Sequence, residues 1–289
     1  MLEIKDLHKR FGDTVALDGV SLSAAPGEVV GFVGANGAGK TTAMRIAMGV
    51  LAADSGQIVY NGSPLGVEQR RRFGYMPSER GLYPKMKTGE QVAYFGELHG
   101  MSKTEARRSA GELLEQLNLS GRSGDFVQDL SLGNQQRVQL AVSLVHDPEV
   151  LILDEPFSGL DPIAVDVMGT ALKDRAAAGA PVIFSSHQLD LIERLCDSVS
   201  IIGNGKIIAA GTVEELKAKE VKQLRVSVAT PEDLADRFPG TVTREGDDYL
   251  IVDADDQEVL RVAAAAGRVT HFAYDQPTIA EIFREAVTR

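Results

Sequence analysis

Residues 28–42 read EVVGFVGANGAGKTT, and the fold follows from them. The run EVVGFVG is apolar, β-rich and closed by glycine, which suits a buried strand. It leads straight into Gly34-Ala35-Asn36-Gly37-Ala38-Gly39-Lys40-Thr41, which fits GxxxxGK[ST]. Behind it AMRIAMGVL has helical spacing and closes near Gly49. The chemistry needs this order. Glycines let the backbone wrap closely, so that successive N–H groups face phosphate oxygens. The helix that follows presents its free N–H groups and the positive end of its dipole. Lys40 can reach the β and γ phosphates of a nucleoside triphosphate, and the Thr41 hydroxyl can bind Mg²⁺. A chance match of this pattern in a chain of this length is roughly a one per cent event. Gly34, Asn36, Gly37, Ala38, Gly39, Lys40, Thr41 and Thr42 are therefore the expected cradle for ATP.

VLILDEP is almost wholly apolar from Val150 and ends in two acids. This places Asp154 and Glu155 at the carboxyl edge of a sheet, where α/β sites form. Asp154 suits direct or indirect coordination of Mg²⁺. Glu155 suits positioning and polarising an attacking water, or acting as a general base. Alone, two acids at a strand end make a solvated turn; beside a phosphate loop they have a use. Strand and helix signals then alternate through PVIFSSH, LDLIERL and SVSIIG, which implies a mostly parallel sheet covered by helices. IIGNGKII carries Asn204-Gly205 between apolar runs, a hairpin signal. Cys196 falls in QLDLIERLCDSV, read as an amphipathic helix with the cysteine as a small buried apolar residue. Residues from about 88 to 146 carry helix formers at helical spacing and read as a helical insertion.

A boundary is expected near Glu220. Beyond it the pattern restarts as strand, helix, two strands, helix, strand and a final helix: KQLRVSVA, PEDLADRF, TVTRE, DYLIVDA, QEVLRVAAAAG, RVTHFAY and TIAEIFREAV. Without the last helix this is βαββαβ, the ferredoxin-like order. Residues 221–289 contain no phosphate loop, and 8 Lys and Arg stand against 13 Asp and Glu there. They are expected to form an accessory or regulatory domain.

The 289 residues suffice for two domains, and 44% hydrophobic with 25% charged residues is a globular composition. A net charge of -11 disfavours nucleic acid and anionic lipid surfaces. One cysteine excludes an intrachain disulfide. MLEIKDLHKRF lacks an apolar signal core, and no run of 18 apolar residues occurs. Any service to a membrane is expected from its cytoplasmic face, through another chain.

With the remaining motifs in place, residues 1–220 resemble the nucleotide-binding subunit of ABC transporters. Walker A is 34–42 and Walker B is 150–155. Between them LSLGNQQR (130–137) resembles the ABC signature: Ser131, Gly133 and Gln135 match, while Leu132 and Asn134 replace the commoner glycines. SGLD (158–161) resembles the D-loop, and His187 after PVIFSS resembles the switch histidine. Phe11 stands where the family places an adenine-stacking aromatic. Read from residues alone, Ser131 is also a helix N-cap and Phe11-Gly12 a turn beside the core. Where the family usually has glutamine after FGYMP, this chain has Ser78, which has a shorter reach and a different donor set. That puts its contact with Mg²⁺ in question. ERGLYPKM and the C-terminal PTIAEIFREAV resemble a subgroup serving drug, antibiotic or sodium efflux.

The resemblance implies a fold: a phosphate-loop NTPase with a mostly parallel sheet, an antiparallel β subdomain and a helical insertion, plus a small ferredoxin-like α+β domain. It implies an ATPase that drives an exporter from the cytoplasmic face of the membrane. Its partners would be a second ATP-binding subunit, most simply a second copy, and separate membrane-spanning permease chains. Glu155, His187 and Lys40 would be catalytic. Thr41, Asp154 and Ser78 would face the metal. Ser131, Gly133 and Gln135 would close over the ATP of the partner. The competing expectation is a soluble ABC-type ATPase without a membrane partner, though no second cassette or long coiled coil is present.

Overall fold

The computed structural model describes residues 1–218, 223–230, 232–275 and 278–288. These form two compact units, one made chiefly of Met1–Val213 and the other Glu214–Glu285. The boundary expected at Glu220 lies outside the described residues.

In the first unit the strands and helices follow in order. They are β1 (Leu2–Phe11), β2 (Thr14–Ala24), β3 (Val29–Val33), α1 (Lys40–Ala47), β4 (Ser55–Tyr60), β5 (Ser63–Pro64), α2 (Val67–Arg70) and β6 (Phe73–Met76). Next come α3 (Thr88–Leu98), α4 (Lys103–Gln116), α5 (Leu132–Leu144), β7 (Val150–Leu153), α6 (Pro162–Ala177), β8 (Val182–Ser186), α7 (Leu189–Leu195), β9 (Ser198–Gly203) and β10 (Lys206–Thr212). The short α8 (Val213–Ala218) leads into the second unit.

The central sheet has the order β10-β9-β3-β8-β7-β6, and only its β9–β10 edge is antiparallel. Every residue of β3, β7 and β8 is buried. That is why VVGFV, VLIL and VIFSS read as apolar runs rather than alternations: a parallel sheet is covered on both faces. One face carries α1, whose Ala43, Met44, Ile46 and Ala47 share a core with Val30, Phe32, Ile152 and Ile183. The same core takes Leu2, Ile4, Leu7, Leu17, Val20 and Leu22 from a second, antiparallel sheet of order β2-β1-β4-β5. Each such side chain contributes about 1.5–3 kcal/mol by leaving water. The expected Asn204-Gly205 hairpin is present, with φ of 48° and 77°.

The helical insertion is α3, α4 and α5. Ser102 and Glu105 close a capping box at the start of α4. α6 was not anticipated, although Asp161 caps it and Pro162 occupies its first turn, both ordinary start signals. The helix read through Cys196 stops at Leu195, and Cys196 is extended at φ -98°, ψ 145°. Burial pushes the Cys196 thiol well above its usual range, so it stays protonated as a small packing group.

The second unit continues with β11 (Gln223–Ala229), β12 (Thr241–Glu245), β13 (Asp248–Val252), α9 (Asp256–Ala266), β14 (Arg268–Asp275) and α10 (Ile279–Thr288). Its sheet runs β12-β13-β11-β14 with antiparallel neighbours, as the ferredoxin-like reading requires. One element differs. Pro231, the first residue of PEDLADRF, lies outside the described residues; among the described residues 232–238 there is no α-helix, and only Ala235–Arg237 form a 3₁₀ turn. Pro239 holds Phe238 extended, at ψ 142°, and the Asp233 carboxylate accepts from the Ala235 N–H in a local turn.

Candidate functional site

The phosphate loop leaves β3 at Val33 and enters α1 at Lys40. Its glycines answer to neighbours. A Cβ at Gly34 would lie 2.5 Å from the Ile202 carbonyl, and one at Gly39 would lie 2.6 Å from that of Ala16. Gly39 also has φ 113°, which L side chains rarely adopt. The hairpin braces the loop directly, since the Gly205 N–H donates to the Ala38 carbonyl at 3.1 Å. Asn36 lies exposed on the loop, Ala38 is buried, and Thr41 and Thr42 are half-buried on the first turn of α1.

Lys40 is 6% exposed. Its ammonium donates to the Gly34 carbonyl at 2.6 Å and the Ala35 carbonyl at 3.2 Å. It also lies 3.6 Å from Glu155 Oε1. The other Glu155 oxygen, Oε2, accepts from His187 Nδ1 at 2.9 Å. Lys40, Glu155 and His187 come from three different elements and meet at one carboxylate. Glu155 has φ 52°, an uncommon conformation for a side-chain-bearing residue and one that clusters at working sites. Several contacts hold it. The Glu155 N–H donates to Ser185 Oγ at 2.8 Å, and the Ser158 N–H donates to the Glu155 carbonyl at 3.2 Å. The Gln136 amide, from α5, donates to the Pro156 carbonyl at 2.9 Å.

Asp154 is fully buried. Ser185 Oγ donates to its Oδ1 at 2.7 Å, while its Oδ2 is buried without a hydrogen-bond partner. A buried carboxylate with one open oxygen calls for a cation or a bound water. The donor set fits Mg²⁺, which takes one or two carboxylates, a hydroxyl and substrate phosphates rather than an all-protein cage. No cluster of three or more His, Cys, Asp or Glu suited to a metal occurs among the described residues. Ser185 was missed from sequence. Its signal was a polar pair closing an otherwise apolar strand.

The other expected residues are spread over the first unit. Ser78 is exposed beyond β6, two residues past Met76, which pairs with Leu153. It therefore stands at the same sheet edge as Glu155. Phe11 ends β1, 49% exposed, with Lys9 Nζ 5.5 Å from its ring centre. Ser131 caps α5, its hydroxyl accepting from the Asn134 N–H at 3.3 Å. Next to it Leu132 is 60% exposed, and Gly133 is half-buried against Leu160 of the 158–161 loop. The Gln135 amide turns inward, donating to the Val127 and Leu130 carbonyls. Among the described residues no helix is long and apolar enough to cross a membrane.

Residues 17–158 match the family model described as ABC transporter, and residues 211–287 match the C-terminal domain of DrrA1-3-like ATP-binding proteins. An uncharacterised ABC transporter ATP-binding protein of Bacillus subtilis, YhaQ, is 38% identical over 99% of this chain and 98% of its own length. The linearmycin resistance ATP-binding protein LnrL of the same organism is 35% identical over 75% of this chain and 70% of its own. The Nod factor export ATP-binding protein I of Paraburkholderia xenovorans is 36% identical over 81% and 78%. A solved ATP-binding subunit of an ABC transporter superposes with a TM-score of 0.70 and 33% identity, covering 76% of this chain and 92% of its own.

Proposed function

This chain belongs to the ABC transporter ATP-binding proteins, which hydrolyse ATP, and from that premise we propose that it powers an exporter as one half of an ATP-closed dimer. The observation that carries the reading is the meeting of Lys40, Glu155 and His187 beside the open oxygen of Asp154. Export is supported by relatives whose names carry antibiotic resistance and Nod factor export.

The roles follow from the contacts. In this structure the Lys40 ammonium is held by loop carbonyls; with ATP it exchanges them for β and γ phosphate oxygens. The N–H groups of 36–42 surround the same phosphates. Thr41 and Asp154 would hold Mg²⁺, and Ser78 stands at the same sheet edge. When bound, the ion offsets the charge that develops on the phosphates. Glu155 orients the attacking water. Its oxygen bonds to the γ phosphorus, the bond to the bridging oxygen of ADP breaks, and Glu155 accepts the proton. His187 holds Oε2 of Glu155 and contacts the γ-phosphate. Phe11 stacks on adenine.

Ser131 and Gly133 stand at an exposed helix N-terminus, where they donate to the γ-phosphate of the partner's ATP. Two nucleotides are thus enclosed head to tail. Closure is favoured because only the closed state offers both sets of contacts, and hydrolysis removes them. Membrane-spanning chains supply the pathway, with this chain on their cytoplasmic face. Residues 221–289 regulate or stabilise the dimer and do not bind nucleotide.

Glu155→Gln tests this. Glutamine keeps the shape but accepts no proton, so turnover falls by about 10²–10⁴-fold while ATP binding persists. Size analysis with ATP and Mg²⁺ should then find a stable dimer. A variant that turns over normally, or stays monomeric with ATP, contradicts the proposal.

A further inference from the structure

The end of β1 that carries Phe11 is held by a residue that these roles leave out. β1 pairs with β4 only as far as His8 opposite Ser55, so its last three residues have β2 on one side and no paired strand on the other. Asp54, the residue before β4, takes that open side. Its N–H donates to the His8 carbonyl at 2.9 Å, its Oδ1 accepts from the Lys9 ammonium at 2.7 Å, and its Oδ2 accepts from the Arg10 N–H at 2.7 Å. Three successive residues are thus fixed just before Phe11. The Lys9 ammonium first, and then the Arg10 N–H, hold the Asp54 carboxyl below its usual range, so it carries its charge at neutral pH. The Lys9 side chain is only 14% exposed and its ammonium stands over the Phe11 ring, whereas the ring is 49% exposed. Across the ladder Leu17 lies opposite Lys9, and Ala16 and Leu17 close on Gly39 of the phosphate loop. Phe11 is two residues along β1 from that contact.

We infer that Asp54 is a positioning residue for base binding: it fixes the end of β1 so that the Phe11 ring backs onto the Lys9 ammonium and keeps its other face for adenine. The ring face is electron-rich, so it draws the cation, and the aspartate holds that cation in place. Ordering the ring beforehand removes a cost that binding would otherwise carry. Asp54 touches no part of the nucleotide and acts through Phe11. The inference rests on the reading of Phe11 as the adenine-stacking ring.

The test uses the full chain as wild type, Asp54→Ala, Phe11→Ala and the double variant. Thermal stabilisation is titrated with ADP and, separately, with inorganic pyrophosphate, which has no base to stack. Phe11→Ala should raise the ADP midpoint about tenfold, as loss of a stacking ring does. Asp54→Ala should raise it about threefold, with the pyrophosphate midpoint unchanged in both. In the double variant Asp54→Ala should add nothing to the loss from Phe11→Ala. A merely structural aspartate would weaken ADP and pyrophosphate alike, and that result overturns the inference. So does an unmoved ADP midpoint in Asp54→Ala, or a full further loss in the double variant. If Phe11→Ala leaves the ADP midpoint unmoved, the reading of Phe11 fails and takes the inference with it. If Phe11→Ala moves it and Asp54→Ala does not, only the role of Asp54 is wrong. Should Asp54→Ala fail to fold, Asp54→Asn keeps an acceptor for the Arg10 N–H, loses the charge facing Lys9 and is judged by the same outcomes.

Discussion

At the carboxyl edge of β7, Asp154 and Glu155 each keep one buried oxygen without a hydrogen-bond partner. On the sheet of the C-terminal unit, Asp248 accepts from Ser227 at 2.6 Å and from Arg225 at 3.0 Å, and these bonds lower its pKa. There too, the Tyr249 hydroxyl accepts from the Leu234 N–H and donates to Asp233. Among the described residues, every buried side-chain atom without a partner falls between Tyr75 and Arg175. Saturated polar groups describe a surface at rest. Open ones at Asp154 and Glu155, next to Lys40 and the phosphate loop, describe a site waiting for charge.

The sharpest way to break this contrast is Lys40→Ala. It removes the cation facing both the loop carbonyls and Glu155, and turnover should fall by at least about a hundredfold. ATP affinity and turnover of the folded variant measure it. Turnover near the wild-type level would mean that the loop is not a phosphate site.

His146 marks where an open atom has a different meaning. Its Nε2 donates to the Phe73 carbonyl at 3.2 Å, and its ring stacks on His99 with centres 3.6 Å apart. Nδ1 is buried without a partner. Burial first, and then His99, push its pKa down to about 4 from 6.5, with Arg175 adding and the Phe73 carbonyl and Asp147 opposing. The folded state therefore refuses a proton that the unfolded chain accepts. Stability is complete above about pH 6.5 and is lost as pH falls towards 4, by about 2 kcal/mol at pH 5. His146→Gln keeps a donor for Phe73 and should flatten this slope in denaturant unfolding between pH 7 and 5. Parallel curves for variant and wild type would remove the account.

Ser185→Ala should have a smaller effect. It takes the hydrogen bond from Ser185 that Asp154 accepts at Oδ1 and one support of the left-handed turn at Glu155. Turnover should fall about tenfold, with a higher Mg²⁺ requirement. Normal Mg²⁺ dependence would show that Asp154 needs no anchor. Smallest is removal of the second unit, which should leave ATP binding intact and weaken dimerisation or transport. A shortened chain that dimerises and transports normally would make the unit a passive cover.

The phosphate loop, VLILDEP and the Asn204-Gly205 hairpin were legible because each depends on residues adjacent in the chain. Ser185 was not. Its partners, Asp154 and Glu155, are set by β8 lying beside β7, which joins segments tens of residues apart and leaves no local signal. The hairpin was foreseen as a turn, but its bond to the Ala38 carbonyl depends on β9 lying beside β3. In the C-terminal unit, alternation disclosed the strands, whereas PEDLADRF carried helix formers that Pro239 and the Asp233 turn overrode.

The central claim is that two chains build each ATP site together, and mixed variants test it most directly. Ser131→Arg places a bulky cation where the partner's γ-phosphate must approach, and Lys40→Ala disables the phosphate loop; each alone should be inactive. In a mixed dimer one site carries both lesions and the other neither. An equimolar mixture should recover about a quarter of wild-type turnover, because half the dimers are mixed and each has one intact site. No recovery, with mixed dimers demonstrated, would contradict the account.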